Sequence, residues 1–126
     1  LMPYLRDGEG APFNTLILSA PGNGKTTLLR DIARQFSRGL NRTMPKKVCI
    51  VDERSEIAGS FSGMPQNDLG PRCDVLDGCL KAEGILWSLR TMSPEVLVCD
   101  ELGSEEDLNA VLEKNQNENP IGYGYL

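Results

Sequence analysis

One turn limits the folds open to this chain: Ser19-Ala20-Pro21-Gly22-Asn23-Gly24-Lys25-Thr26-Thr27. It follows Thr15-Leu16-Ile17-Leu18, a short apolar run with β-branched residues that reads as a buried strand. After it, the spacing of Leu28, Leu29, Ile32, Ala33 and Phe36 predicts a helix with one apolar stripe, and Gly39 is placed to stop it. Strand, glycine turn and helix together make a phosphate cradle, closed by Pro21, Gly22, Asn23 and Gly24. Gly22 and Gly24 allow positive φ and a close backbone approach, so N–H groups at the positive helix end point at phosphate oxygens. Lys25 is placed to reach the β- and γ-phosphates, Thr26 to offer its hydroxyl to Mg²⁺, and Thr27 to bond the α-phosphate. The general pattern G-x-x-x-x-G-K-[ST] is met except at its first glycine, which is Ser19, a position that shapes the turn more than it binds phosphate. The expected ligand is ATP with Mg²⁺. The plainer reading, a strand-to-helix turn that merely contains Gly-Asn-Gly-Lys-Thr-Thr, is disfavoured by the periodicities on both sides.

At 126 residues the chain is long enough for one domain with a real core, and it reads as a piece of a larger protein. A net charge of −5 gives no general basic footprint, so no direct nucleic-acid binding is expected. No apolar run approaches a membrane span and the first residues lack the order of a signal peptide, which makes the cytoplasm the simplest compartment. Cys49 and Cys99 sit in apolar strand-like runs, as small buried hydrophobes do. Cys73 and Cys79 lack a Cys-x-x-Cys pairing, and the chain has no His, so neither a structural zinc nor His-based acid–base chemistry is expected.

Residues 1–13 read as a connecting segment, 14–114 as the nucleotide-binding core and 115–126 as a polar tail. Arg38, Arg42, Lys46 and Lys47 mark a solvated basic loop in preference to a nucleic-acid patch. Val48-Cys49-Ile50-Val51 predicts a second strand, ending at Asp52 and Glu53, either of which stands where a carboxylate positions water beside a γ-phosphate. An exposed acidic turn is the competing account. Residues 58–78 read as one long loop, functional or mobile, with Arg72 either solvated or turned toward a phosphate or a neighbouring subunit. Residues 82–92 resume helical spacing, with Leu86, Leu89 and Met92 as core candidates and Pro94 as terminator.

Val96-Leu97-Val98-Cys99 then delivers Asp100 and Glu101. Asp100 belongs in the magnesium shell through water, and Glu101 is set to orient or deprotonate an attacking water. Four apolar residues and Asp-Glu alone are a weak signal; following a phosphate loop with one strand between, they become a strong one. Another helix is predicted around Leu108, Val111 and Leu112, capped by Ser104, and beyond Lys114 no element is expected, Gly122-Tyr123-Gly124-Tyr125 included. The resulting fold class is α/β: a three-layer domain with a parallel sheet whose strands run near 15–18, 48–51 and 96–99.

Taken together, residues 14–31, Val51-Asp52-Glu53-Arg54-Ser55-Glu56-Ile57-Ala58-Gly59, Asp74-Val75-Leu76-Asp77-Gly78-Cys79 with Lys81-Ala82-Glu83-Gly84, and Met92-Ser93-Pro94-Glu95-Val96 leading to Asp100-Glu101 resemble the stage III sporulation protein AA ATPases of endospore-forming bacteria. Ser19 in the first glycine position is similar to what that family carries. The resemblance runs from about residue 14 to residue 107. It implies a truncated RecA-like P-loop NTPase core, related to secretion and pilus motor ATPases, in which Glu53 matches a carboxylate acting near the γ-phosphate. It also implies a homo-oligomeric ring peripheral to the membrane, powering a channel or secretion apparatus between mother cell and forespore. Arg72 or Arg90 is a candidate to complete a neighbour's site. The family has further strands beyond the second carboxylate motif, one with a polar γ-phosphate sensor, so nucleotide binding is implied more directly than turnover. Two other classes stay open: a DNA-dependent RecA-like ATPase, and a nucleotide-binding module without catalysis.

Overall fold

Strands that read as continuous apolar runs are buried on both faces, and that burial organises the architecture. The computed structural model describes residues 2–8, 10–20, 22–39, 44–59, 64, 67–116 and 122–125. In chain order its elements are β1 (Thr15–Leu16), α1 (Lys25–Arg38), β2 (Val48–Asp52), β3 (Cys73–Asp77), α2 (Lys81–Thr91), β4 (Val96–Cys99), α3 (Glu105–Gln116) and β5 (Gly122–Tyr125), with one 3₁₀ turn at Met2–Tyr4. The strands form a five-stranded sheet in the order β1-β5-β4-β2-β3, every neighbouring pair parallel.

Side chains alternate across the two central strands, and the alternation sorts the core into two layers. Val48 and Ile50 of β2 and Val96 and Val98 of β4 pack with Leu29, Ile32, Ala33 and Phe36 of α1. Cys49, Val51, Leu97 and Cys99 point the other way, against Ile85 of α2 and Ala110 and Val111 of α3. Each large side chain buried this way stabilises the fold by about 1.5–3 kcal/mol relative to exposure. The three-layer parallel sheet expected from the periodicities is therefore present, with α1 on one side and α2 and α3 on the other. No helix among the described residues is long and apolar enough to cross a membrane.

Helix ends follow the local chemistry. Gly39, at φ 71°, closes α1 by donating its N–H to Gln35 O at 3.0 Å. Ser104 caps α3, its Oγ accepting from Asp107 N at 3.1 Å, while Asp107 Oδ2 accepts from Gly103 N at 3.1 Å.

Several expectations need correction. The strand expected over residues 15–18 spans only Thr15–Leu16, and Leu16 and Leu18 are 55% and 78% exposed. β1 lies at the sheet edge with β5 as its one partner, so its apolar residues are not enclosed as those of β2 and β4 are. Within the stretch expected as a long loop, Cys73–Asp77 forms β3 on the opposite edge. Asp74 and Asp77 broke the apolar pattern there; an edge strand tolerates them because it faces solvent and needs only one partner. Gly122–Tyr125, not expected to form a strand, is β5, paired with β1 and β4 at once. Alternating glycines give it little propensity of its own, and backbone pairing on both sides supplies what propensity lacks. Within the expected connecting segment, Leu5 joins the α1-side core and Phe13 N donates to Leu5 O at 2.8 Å.

The basic loop is engaged internally at its described positions. Arg38 pairs with Asp68, Lys46 lies 3.6 Å from Glu95, and Lys47 donates to Met92 O. Arg42 lies outside the described residues. Arg72 donates from its backbone to Ser37 Oγ at 2.7 Å and from its guanidinium to Pro45 O at 3.0 Å, fastening the entry to β3 onto the entry to β2.

Two predictions follow from the packing. A Cβ on Gly84 would stand 2.7 Å from Cys79 Sγ and 2.8 Å from Val51 Cγ1. Overpacking of ~2 kcal/mol exceeds the ~1 kcal/mol gain in helix propensity, so Gly84→Ala should lower stability in urea unfolding by about 1 kcal/mol. Burial pushes the Cys49, Cys73 and Cys99 thiols up to about 12. A disulfide reagent at pH 8 should reach the half-buried Cys73 and Cys79 first and the enclosed Cys49 and Cys99 only on unfolding; rapid reaction of all four in the native chain would contradict this packing.

Candidate functional site

The loop between β1 and α1 adopts the conformation its glycines allow. Gly22 and Gly24 stand at φ 82° and 78°, and a Cβ on either would meet no atom within 4 Å. Positive φ, not crowding, calls for glycine here, and the space above both residues stays open to a ligand. Gly24 is the N-cap of α1 and offers no side chain to the first-turn amides, and that turn carries no acidic residue. α3 is the contrast, with Ser104 on its first turn and Glu105, Glu106 and Asp107 within it. One helix satisfies its own N-terminus; the other leaves its amides and positive end for an anion. Lys25 Nζ donates to Ser19 O at 2.7 Å, so its ammonium is folded across the loop it belongs to. Asn23 and Thr27 are exposed and Thr26 half-buried, while Pro21 lies outside the described residues.

The carboxylates gather at the ends of β2 and β4. Pairings Thr15 with Gly124, Gly124 with Val98, Val98 with Ile50 and Ile50 with Val75 put one residue of each strand on a common row. Asp52 and Asp100 both lie two residues beyond that row, at the same carboxyl edge as the phosphate loop. β5 separates β1 from β4, so the loop and Asp100 are two strand spacings apart, ~10 Å. A polyphosphate spans that distance.

A cavity of about 600 Å³ at this edge is lined by Glu53, Arg54, Lys81, Asp100, Glu101 and Asp107 among others. The structure thus brings Glu53, Asp100 and Glu101 together. It does not bring the phosphate loop into the same cavity; Gly24 and Thr27 border a separate cleft along α1 with Arg30, Asp31 and Arg34. Arg90 is exposed on the last turn of α2 and lines neither.

The two candidate carboxylates at the end of β2 separate cleanly. Asp52 is fully buried, and its carboxylate accepts from Glu56 N at 3.0 Å, Ile57 N at 3.2 Å and Ala58 N at 2.9 Å. It folds the turn and does not line the cavity. Glu53, on the same turn, projects into the cavity. Arg30 of α1 holds this turn from the other side, donating to Ile57 O at 2.7 Å and Glu56 O at 3.0 Å. Ser55 holds a left-handed φ of 58° without being glycine, and its hydroxyl donates to Asp77. The phosphate-loop helix and the Glu53 turn are thereby one mechanical unit.

Sequence reasoning missed Lys81. It opens α2, is 5% exposed, and lies 3.0 Å from Asp100 Oδ1 and 3.5 Å from Glu53 Oε2, with a further hydrogen bond to Glu101 O. Burial pushes the Asp100 carboxyl up, and the Lys81 ammonium opposes the shift. Burial also disfavours the charged lysine, but Asp100, Asp107 and Glu53 outweigh it and its pKa is raised. Asp100 Oδ1 is buried, and the Lys81 ammonium 3.0 Å away is the charge that faces it. A buried carboxylate held at this edge by a single cation fits an outer-shell role toward a hydrated Mg²⁺. Among the described residues no group of three or more Cys, Asp or Glu forms a metal cage of its own, so the fit is to an ion carried in with phosphates. Glu101 is exposed, with Arg54 3.9 Å away, and such a pair contributes little.

Comparison with known proteins follows the same lines. The family described as sporulation stage III, protein AA matches residues 1–118. Stage III sporulation protein AA of Bacillus subtilis (strain 168) is 54% identical over 113 residues, which cover 90% of this chain and 36% of that protein. Uncharacterized protein ycf45 of Cyanidium caldarium is 31% identical over 116 residues, covering 90% of this chain and 33% of that one. The chain thus spans about a third of the length of these relatives. The X-ray structure of the Legionella pneumophila ATPase DotB aligns with a TM-score of 0.56 at 19% identity, over 87% of this chain and 29% of that one. At that identity the likeness establishes the fold alone, an α/β P-loop core with a parallel sheet.

Removal of the Asp52 carboxylate tests the turn. Asp52→Ala leaves three amides without their acceptor and should cost ~3 kcal/mol in urea unfolding; a loss below ~1 kcal/mol would mean the turn holds without it.

Proposed function

The chain belongs to the sporulation stage III, protein AA family, and from that premise we propose that it binds and hydrolyses Mg²⁺–ATP as the motor domain of a sporulation-associated channel or secretion apparatus. The observation that carries the reading is the pairing, on one sheet edge, of an uncapped phosphate loop with a cavity gathering Glu53, Asp100 and Glu101. A phosphate-binding turn alone would support binding; carboxylates converging beside it supply what hydrolysis needs. The family name and the resemblance to motor ATPases support the biological setting: a homo-oligomeric ring on the cytoplasmic side of the membrane, working with membrane channel proteins.

In this mechanism the amides from Gly22 to Thr27, that of Asn23 included, hold the phosphates. Lys25 leaves Ser19 O for the β- and γ-phosphates, exchanging a neutral acceptor for an anionic one. Thr26 Oγ1 and, through water, Asp100 would hold Mg²⁺, which when bound neutralises charge on the phosphates. Thr27 bonds the α-phosphate. Glu101 is exposed and free to turn, and it orients and deprotonates the attacking water. Glu53, on a turn tied to α1 by Arg30, contributes a second carboxylate near the γ-phosphate. The separation between the loop cleft and the carboxylate cavity favours one alternative, a module that binds nucleotide without turning it over.

ATP binding and phosphate release with Mg²⁺, across protein concentrations, test the reading. Lys25→Ala should weaken ATP binding by at least ~10-fold, through loss of a charged hydrogen bond. Glu101→Gln should keep binding and lose ~10²–10³-fold in release rate. Release that rises with protein concentration would support an assembling motor; tight binding without release at any concentration would select the non-catalytic module.

A further inference from the structure

Lys81 is the one buried cation among the described residues, and its surroundings are unusual for a helix-opening lysine. A buried ammonium is costly unless each of its N–H groups finds a partner. Its partners here come from two strand ends: Glu53 beyond β2, and the Asp100 side chain and Glu101 backbone beyond β4. Asp107 of α3 and Asp52 of β2 add negative charge around the same point. Without a cation at the centre, Glu53 and Asp100 would repel each other across the cavity. With it, the two strand ends that carry the proposed catalytic carboxylates are fastened to one side chain.

We propose that Lys81 is a positioning residue for the hydrolysis proposed above, holding Glu53 and the Asp100–Glu101 turn in a single arrangement beside the terminal phosphate. The inference rests on the ATPase reading for its consequence in catalysis, but its geometric content stands apart from turnover. Lys81 acts through the two carboxylates, not through the phosphate loop, which does not border the cavity. Its removal therefore loosens the water-positioning half of the site and leaves nucleotide binding in place. Arginine keeps the charge and the donors and restores part of the arrangement; methionine keeps the apolar stem and restores none.

Two measurements on the full-length protein decide it, with Lys81→Met and Lys81→Arg. Hydrogen exchange without nucleotide should rise ~10-fold or more in residues 53–58 and 101–104 of Lys81→Met, the consequence of losing a charged hydrogen bond. β4 amides should keep wild-type rates, and Lys81→Arg should return most of the protection. Unchanged exchange in both turns, or a rise spread equally over β4 and α1, would overturn the proposal, the second by marking a packing role. In phosphate release, kcat should fall ~10²-fold with the KM for ATP within about twofold, and Lys81→Arg should recover part of kcat. A raised KM at unchanged kcat would overturn it. A wild-type protein that releases no phosphate in any assembly state refutes the ATPase reading, and the exchange comparison then judges Lys81 alone. If Lys81→Met does not fold, Lys81→Gln, which lacks the charge, is read by the same two measures.

Discussion

Burial of β2 and β4 on both faces is the constraint from which the remaining structure follows. Val48, Ile50, Val96 and Val98 are covered by α1, and Cys49, Val51, Leu97 and Cys99 by α2 and α3, so neither strand has a face left for chemistry. Reactive groups are confined to the strand ends. Because all pairs are parallel, the carboxyl ends share one edge, where Asp52, Glu53, Asp100, Glu101 and the glycine turn all emerge. The arrangement of helices thus decides where a ligand lies before any side chain of the site is considered.

At that edge the buried polar groups divide the labour. Asp52 spends its carboxylate on three amides and so builds the turn that presents Glu53. Arg30 ties that turn to the helix opened by Lys25 and Thr26, which gives the phosphate loop and the second carboxylate a shared support. Lys81 joins the same turn to the end of β4. Two interactions between segments distant in sequence, those of Arg30 and Lys81, together with the local Asp52 turn, therefore set the relative positions of residues that each motif, taken alone, leaves undetermined. All but the Arg30 bond to Glu56 O are buried or part-buried, where loss of a partner is felt most.

Much of this was legible in the sequence where local chemistry and burial agree. The glycine turn, the stripe of α1 with its Gly39 stop, the central strands and the Ser104 cap all appear as read, because each is encoded within a few neighbouring residues. The misses share the opposite property. Asp74 and Asp77 hid β3, since an edge strand accepts charges that a central strand would reject. β5 has two glycines in four residues and exists through its neighbours. The apolar residues of β1 looked buried because the pattern of an enclosed strand was assumed for an edge one. Lys81 escaped because a lysine at a helix start ordinarily reaches solvent; only folding reveals that its surroundings are the ends of two other strands. Local spacing left Asp52 and Glu53 as adjacent acids and only the family resemblance singled out Glu53; in the fold Asp52 is buried on three amides while Glu53 lines the cavity.

The central claim is that phosphate loop and carboxylate cavity serve one ligand across the width of β5. A crystal structure of the full-length protein with Mg²⁺ and a non-hydrolysable ATP analogue tests it most directly. The account predicts β- and γ-phosphates on the amides from Gly22 to Thr26, with the γ-phosphate turned toward Asp100 and Glu101 and Lys25 released from Ser19 O. A nucleotide seated along the α1 cleft with its γ-phosphate directed away from both carboxylates would contradict it.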